Sequence, residues 1–242
     1  MLTVIIDRPE VRNAVDPETA AALRDAFYYV FGADASLSVA VLTGAGGTFC
    51  AGFDLKAMAA GEDYGDLDGP GPMGPTRFYV AKPVIAAIEG YAVAGGLELA
   101  LWCDLRVAAS DAVLGVFNRR FGVPLIDMGT VRLPRLVGQG RALDLIMTGR
   151  PVKADEALRI GLIDRLVEPG QALAEAQKLA RQIAAFPQAA LRADRDGVIG
   201  RWGVGLEEAA IDELEAGMRA MRSGEAMEGA KRFAGGEGRH GA

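Results

Sequence analysis

The chain of 242 residues contains a single histidine and two cysteines, and these shortages close off several chemistries. The histidine, His240, lies in the glycine-rich tail 235–242, which reads as mobile. A Ser-His-Asp or Cys-His nucleophile system therefore has no base in the folded body, and a histidine-ligated zinc site is equally unavailable. Cys50 and Cys103 form no CxxC pair or metal-ligand cluster and stand among apolar residues, so they read as buried thiols and no metal is expected. Excess basic charge is also missing: a formal charge of −6 argues against a nucleic-acid surface. No apolar run reaches the ~18 residues of a membrane span. The opening residues lead straight into a strand-like segment without the basic and apolar regions of a signal peptide, so a cytoplasmic protein is expected.

Half of the residues are hydrophobic, enough for a substantial core, and they follow an α/β pattern. Strand-like runs at residues 2–7, 37–42, 84–88 and 104–108 alternate with helical segments. The first helix is expected over 17–31, with Asp16 as N-cap and Pro17 at the first helical position. A short helix at 154–160 stops at Gly161 and a strand follows at 162–167. Residues 61–75, rich in glycine, proline and aspartate, read as a mobile loop. From Glu168 onward strands disappear, and helices at 171–186 and 206–221 dominate. This pattern divides the chain into a core over 1–168 and a helical C-terminal region over 169–242.

Within the core, Glu98 is the most informative residue. It sits among Leu97, Leu99, Ala100, Leu101 and Trp102, directly after Gly95-Gly96. The glycine pair reads as a tight turn into a helix beginning near Leu97, whose first amides have no intrahelical partner and favour an anion. A helix with no polar face is buried, which desolvates Glu98 and raises its pKa. Amide donors beside such a carboxylate suit enolate chemistry; the plainer alternative is that Glu98 complements the helix dipole. A second glycine-rich element, Thr43-Gly44-Ala45-Gly46-Gly47-Thr48-Phe49, fails the GxGxxG spacing at Phe49, and no Gly-Lys-Ser/Thr is present for a phosphate loop.

Taken together, several segments resemble the crotonase superfamily, the enoyl-CoA hydratase/isomerase family. They are Arg8-Pro9-Glu10 with Asn13-Ala14, Leu42-Thr43-Gly44 through Phe49-Cys50-Ala51-Gly52-Phe53-Asp54-Leu55, the run from Pro83 to Ala92 and Gly95-Gly96. Cys103-Asp104, Arg132-Leu133-Pro134-Arg135-Leu136-Val137-Gly138, Thr148-Gly149-Arg150 and Gly161-Leu162-Ile163 follow in the family's order. The resemblance implies a spiral of repeated ββα units with a C-terminal helical region that mediates homo-trimers or hexamers. It also implies an acyl-CoA thioester as substrate, whose CoA moiety makes a separate cofactor unnecessary. By motif position the oxyanion hole falls to the amides of Phe53 and Gly95. Ala51, Gly52, Asp54, Leu55 and Gly96 line the acyl-CoA loops, and Arg12 and Lys56 are candidates for the adenosine phosphates.

One departure bears on the reaction. Glu98 occupies the position of the first of the hydratases' two glutamates, whereas Asn118, in Leu114-Gly115-Val116-Phe117-Asn118-Arg119-Arg120, stands where the second belongs. An amide can orient a water but exchanges no proton near neutral pH. Asp127, in Pro124-Leu125-Ile126-Asp127-Met128-Gly129-Thr130, stands where the related dienoyl-CoA isomerases place an aspartate in the acyl pocket; the alternative is a helix N-cap ahead of Thr130. Arg119 and Arg120 are either solvated or face the pocket to select a polar acyl group. The reading is a hydratase-like enzyme with Glu98 as acid/base and Asp127 as second carboxylate. The alternatives are an enoyl- or dienoyl-CoA isomerase, a thioester hydrolase in which Asn118 holds the water, and a non-catalytic acyl-CoA-binding subunit.

Overall fold

The computed structural model describes residues 1–61, 69 and 71–237. Most of the glycine-rich loop expected at 61–75, and His240 with the end of the tail, lie outside the described residues. The chain divides into two compact units, Met1–Arg181 and Gln182–Ala242.

The first unit is built on two sheets. Five parallel strands, β1 (Leu2–Ile6), β2 (Ala40–Gly44), β3 (Val84–Ile88), β5 (Leu105–Ala109) and β8 (Arg165–Val167), lie in the order β1-β2-β3-β5-β8. The second sheet holds β4 (Tyr91–Val93), β6 (Val113–Gly115) and β7 (Val152–Lys153) in the order β4-β6-β7. Consecutive strands β3 and β4 separate into different sheets, as do β5 and β6, and helix α3 (Gly95–Trp102) follows β4 directly. That alternation is the expected spiral of ββα units. All five residues of β3 are buried, as a central parallel strand requires. Arg106 on β5 is buried too; its guanidinium meets Asp164 at 2.9 Å and donates to the Leu162 and Cys103 carbonyls.

Several expectations need correction at element ends. The second strand begins at Ala40 instead of residue 37, because the ladders on both sides start there, at Leu2↔Ala40 and Ala40↔Val84. The first helix, α1, runs Pro17–Asp25 and then widens into a π-helical turn over Ala26–Gly32, with Phe27 and Phe31 buried on one side. The strand expected at 162–167 shortens to Arg165–Val167. The loop expected to be mobile is packed at its far end, where Pro72 to Thr76 are buried. Helices α2 (Leu55–Ala59), α4 (Gly129–Val137), α5 (Gln139–Thr148) and α6 (Ala154–Arg159) complete this part. The first unit also runs past residue 168, because α7 (Ala172–Ala184) buries Ala172, Ala176, Leu179 and Ala180.

The second unit contains α8 (Gln188–Gly200), α9 (Leu206–Arg222) and α10 (Glu225–Ala234). The α8 terminus is closed by Glu225, which accepts the Ala189 amide at 2.8 Å. Among its described residues only Gly197 is buried, so the unit has no apolar core of its own.

Asp16 caps α1 as expected, accepting the Thr19 amide at 2.8 Å, with Pro17 following. Asp16→Ala should lower stability by about 1 kcal/mol in chemical denaturation, whereas Asp16→Asn, itself a good cap, should cost only a few tenths.

Candidate active site

A cavity of about 350 Å³ opens in the first unit, lined by Ala51, Phe53, Leu55, Met58, Met73, Gly95, Phe117, Phe121, Val123 and Ile126. Three polar side chains also face it: Glu98, Asn118 and Asp127. All three are buried, and the exposed Phe121, Leu55, Met58 and Ile126 give it an apolar rim.

Glu98 reaches the cavity from the first turn of α3. The helix begins at Gly95, two residues earlier than expected, after Ala94 turns the chain with φ 53° and ψ −125°. A residue with a Cβ in that region is strained, and the strain is held by the Ala94 amide bond to the Gly115 carbonyl at 2.9 Å. It leaves the Gly95 amide as the first of the helix, without an intrahelical partner. Gly52 packs against this corner, where a Cβ would lie 2.9 Å from the Gly95 nitrogen. Around Phe53, Val15 donates to the Gly52 carbonyl and accepts from the Asp54 amide, so the Phe53 amide is directed away from Val15.

The Glu98 carboxyl is held by one oxygen. Oε1 accepts the Asp127 amide at 3.0 Å and the Gly129 amide at 2.8 Å, the latter at the start of α4. Gly129 permits this approach, since a Cβ there would lie 2.7 Å from Oε1. Burial, followed by the negative charge of Asp127, pushes the Glu98 pKa up to about 8. Near neutrality the proton is therefore bound, and since Oε1 is occupied by two donors it belongs on Oε2.

Asp127 is held in the same manner. Its Oδ1 accepts the Met73 amide at 3.1 Å and the hydroxyl of the fully buried Thr76. The helix-cap alternative is thereby corrected: the N-cap position of α4 is Met128, in the left-handed region, and the Asp127 side chain bonds the 71–77 segment instead. Burial raises the Asp127 pKa, opposed by the bonds from Thr76 and Met73 and by the charges of Arg77 and Arg132. Arg132 joins these elements, donating to the Asp127 carbonyl at 3.1 Å and the Thr76 carbonyl at 2.6 Å.

Asn118 sits on a 3-10 turn over Phe117–Phe121. Its Nδ2 donates to the Val123 carbonyl at 2.9 Å, and its buried Oδ1 has no partner among the described residues. The remaining expected residues divide. Ala51 and Leu55 line the cavity, while Gly52 and Gly96 serve close packing, a Cβ on Gly96 falling 2.2 Å from the Cys50 carbonyl oxygen. Asp54 caps α2 through the Lys56 amide at 3.0 Å and pairs with Arg8. Arg12 and Lys56 are exposed and outside the cavity lining. Arg119 and Arg120 do not line it either: Arg119 donates to the Ile146 carbonyl, and Arg120 stacks 3.7 Å from the Phe117 ring centre. Both cysteines are buried, and burial pushes the Cys50 thiol up to about 12. Sequence reasoning missed Thr76 and Met73, which lie in a segment without periodicity, and Arg132, which it placed in a motif without a role.

Comparison with known proteins gives one family. Residues 1–233 match the family described as enoyl-CoA hydratase/isomerase. A carnitinyl-CoA dehydratase of Salmonella arizonae is 42% identical over 186 residues, covering 76% of this chain and 70% of that protein. The enoyl-CoA hydratase EchA19 of Mycobacterium tuberculosis is 36% identical over 240 residues, covering 96% and 90%. The crystal structure of enoyl-CoA hydratase EchA1 from Mycobacterium marinum superimposes with a TM-score of 0.91 at 40% identity, covering 96% of this chain and 92% of that one.

The raised Glu98 pKa has a consequence for stability. Between its ordinary value of 4.5 and about 8 the folded protein holds a proton that the unfolded chain releases. The associated stability is complete below pH 4.5 and is lost as pH rises through 8, with Asp127 adding to the same trend. Glu98→Gln should flatten this decline, so thermal melts at pH 5.5 and 8.5 should differ less in the variant than in the parent.

Proposed function

Because the chain belongs to the enoyl-CoA hydratase/isomerase family, we propose that its hydratase-like action on a CoA thioester takes place in the cavity at Glu98 and Asp127. The observation that carries this assignment is a buried carboxyl group, with one oxygen saturated by two amides and a pKa raised to about 8, beside the second carboxyl group of Asp127. The thioester carbonyl lies against the amides of Gly95 and Phe53. As a water oxygen bonds to C3, the C2=C3 electrons move onto the thioester oxygen, and each amide donor lowers the barrier to that charge by ~3 kcal/mol. The water proton passes to Asp127, Glu98 gives its proton to C2, and the pair exchanges one proton to reset. The Asn118 Oδ1 accepts a hydrogen bond from the water, whose oxygen becomes the hydroxyl of the product. No separate cofactor enters this scheme, and Arg12 and Lys56 meet the CoA phosphates outside the cavity.

Double-bond isomerisation is the second reading, favoured by Asn118. It needs the same enolate but no water, and one carboxyl group suffices to move a proton from one carbon to another. Glu98→Gln should reduce turnover by about 100- to 10,000-fold on an enoyl-CoA with little change in binding. Asp127→Asn keeps an oxygen for the Met73 and Thr76 donors but removes the base, and should cause a comparable loss of hydration. Retained turnover in Asp127→Asn beside a loss in Glu98→Gln, with a shifted double bond as product, would assign the isomerase.

The C-terminal helices are proposed to join copies of the chain into a trimer or a hexamer, in a cytoplasmic setting. Support comes from a helical unit without a core whose Leu206, Val198, Leu214 and Met221 are exposed. Isolated helices of this length depend on packing for stability. Light scattering should give three or six copies for the full chain and fewer copies when the chain ends at Phe186, before α8; a monomeric full chain removes the proposal.

A further inference from the structure

Thr76 is fully buried, lies behind Asp127 and does not line the cavity, so it contributes nothing to the shape of the acyl pocket. Its hydroxyl nevertheless donates to Asp127 Oδ1, the oxygen that also accepts the Met73 amide. Its backbone is fixed from the other side, because Arg132 donates to the Thr76 and Asp127 carbonyls together. The segment is packed closely enough that a Cβ on Gly71 would fall 2.6 Å from the Thr76 hydroxyl and 2.7 Å from Asp127 Oδ1. An apolar residue would fill this position equally well if packing were its only purpose.

We propose that Thr76 is a positioning residue which, by donating to Asp127 Oδ1, makes Asp127 the ionised partner and Glu98 the protonated partner of the pair. The inference rests on the reaction proposed above and adds the direction in which the proton moves. The two carboxyl groups are built alike, each with one oxygen occupied by two donors. They differ in what else faces them. Asp127 has the Thr76 hydroxyl and the guanidinium groups of Arg77 and Arg132; Glu98 has two amides, Arg132 and the like negative charge of Asp127. A hydroxyl can rotate away or reverse its bond when its partner is protonated, so its donation is strongest to the carboxylate form. With Oδ1 occupied, a proton taken from water goes to Oδ2. Glu98 begins the cycle holding the proton destined for carbon. Protons balance, since the one lost by Glu98 is replaced by the one that water gives Asp127.

The test is the pH dependence of kcat with an enoyl-CoA for the parent, Thr76→Val and Thr76→Ser. Removing the donor should raise the proton affinity of Asp127 and move the acid limb of the profile up by about one pH unit, the equivalent of one lost hydrogen bond. KM should stay within twofold, and Thr76→Ser should restore the parental profile. Should Thr76→Val fail to fold, Thr76→Ala gives the same readout with less steric demand. An acid limb that does not move while kcat falls would overturn the proposal, as would a serine variant that behaves like valine or a parallel rise in KM. If Asp127→Asn retains hydration and the parental profile, the base assignment itself fails, an outcome distinct from an immobile limb in Thr76→Val.

Discussion

A carboxyl group inside an apolar cavity is tolerated only if its polar atoms find partners, and Glu98 finds them 29 and 31 residues further along the chain, at the Asp127 and Gly129 amides. This contact ties the first turn of α3 to the beginning of α4, and most of the site depends on it. The side chain in effect caps the start of α4 by accepting two amides there, a role that no residue of that helix fills. The same contact requires glycine at position 129 and brings Asp127 beside the acid.

The bond from Asp127 to the 71–77 segment is the second half of the arrangement. It draws a glycine- and proline-rich stretch against the cavity, where Met73 packs over Gly95 so closely that a Cβ on the glycine would fall 2.5 Å from the Met73 sulfur. Arg132 closes the circuit from α4 back to both carbonyls. Three distant pieces of chain, at α3, residues 71–77 and residues 127–132, therefore share one small network of donors, and each carboxyl keeps an oxygen outside it. A network of several engaged buried donors and acceptors holds its members to one geometry, which proton transfer at fixed carbon positions demands. Asn118 stands outside this network, and its unpartnered oxygen belongs to a residue that lines the cavity.

The two units differ in what stabilises them. The first has a continuous apolar core drawn from both sheets and from α3. The second presents amphipathic helices with exposed apolar side chains and nothing buried but a glycine among its described residues. A surface of that kind matches the assembly that the C-terminal helices are proposed to form.

The sequence by itself determined the α/β pattern, the Asp16 cap, the helix at Gly95-Gly96 and the burial of Glu98, because each follows from a local cause: periodicity, capping chemistry or a charge in an apolar run. It also marked Asn118 and Asp127 as departures, through the motifs around them. Element ends such as the start of β2 were illegible, since strand pairing with distant partners sets them. Only the tertiary structure decided that Asp127 turns away from its own helix toward Thr76 and Met73, that Arg12 and Lys56 lie outside the cavity, and that Arg120 stacks on Phe117. The Asp127 contacts join positions 51 and 54 apart in the chain, and hydrophobic spacing along one segment carries no information about such an encounter.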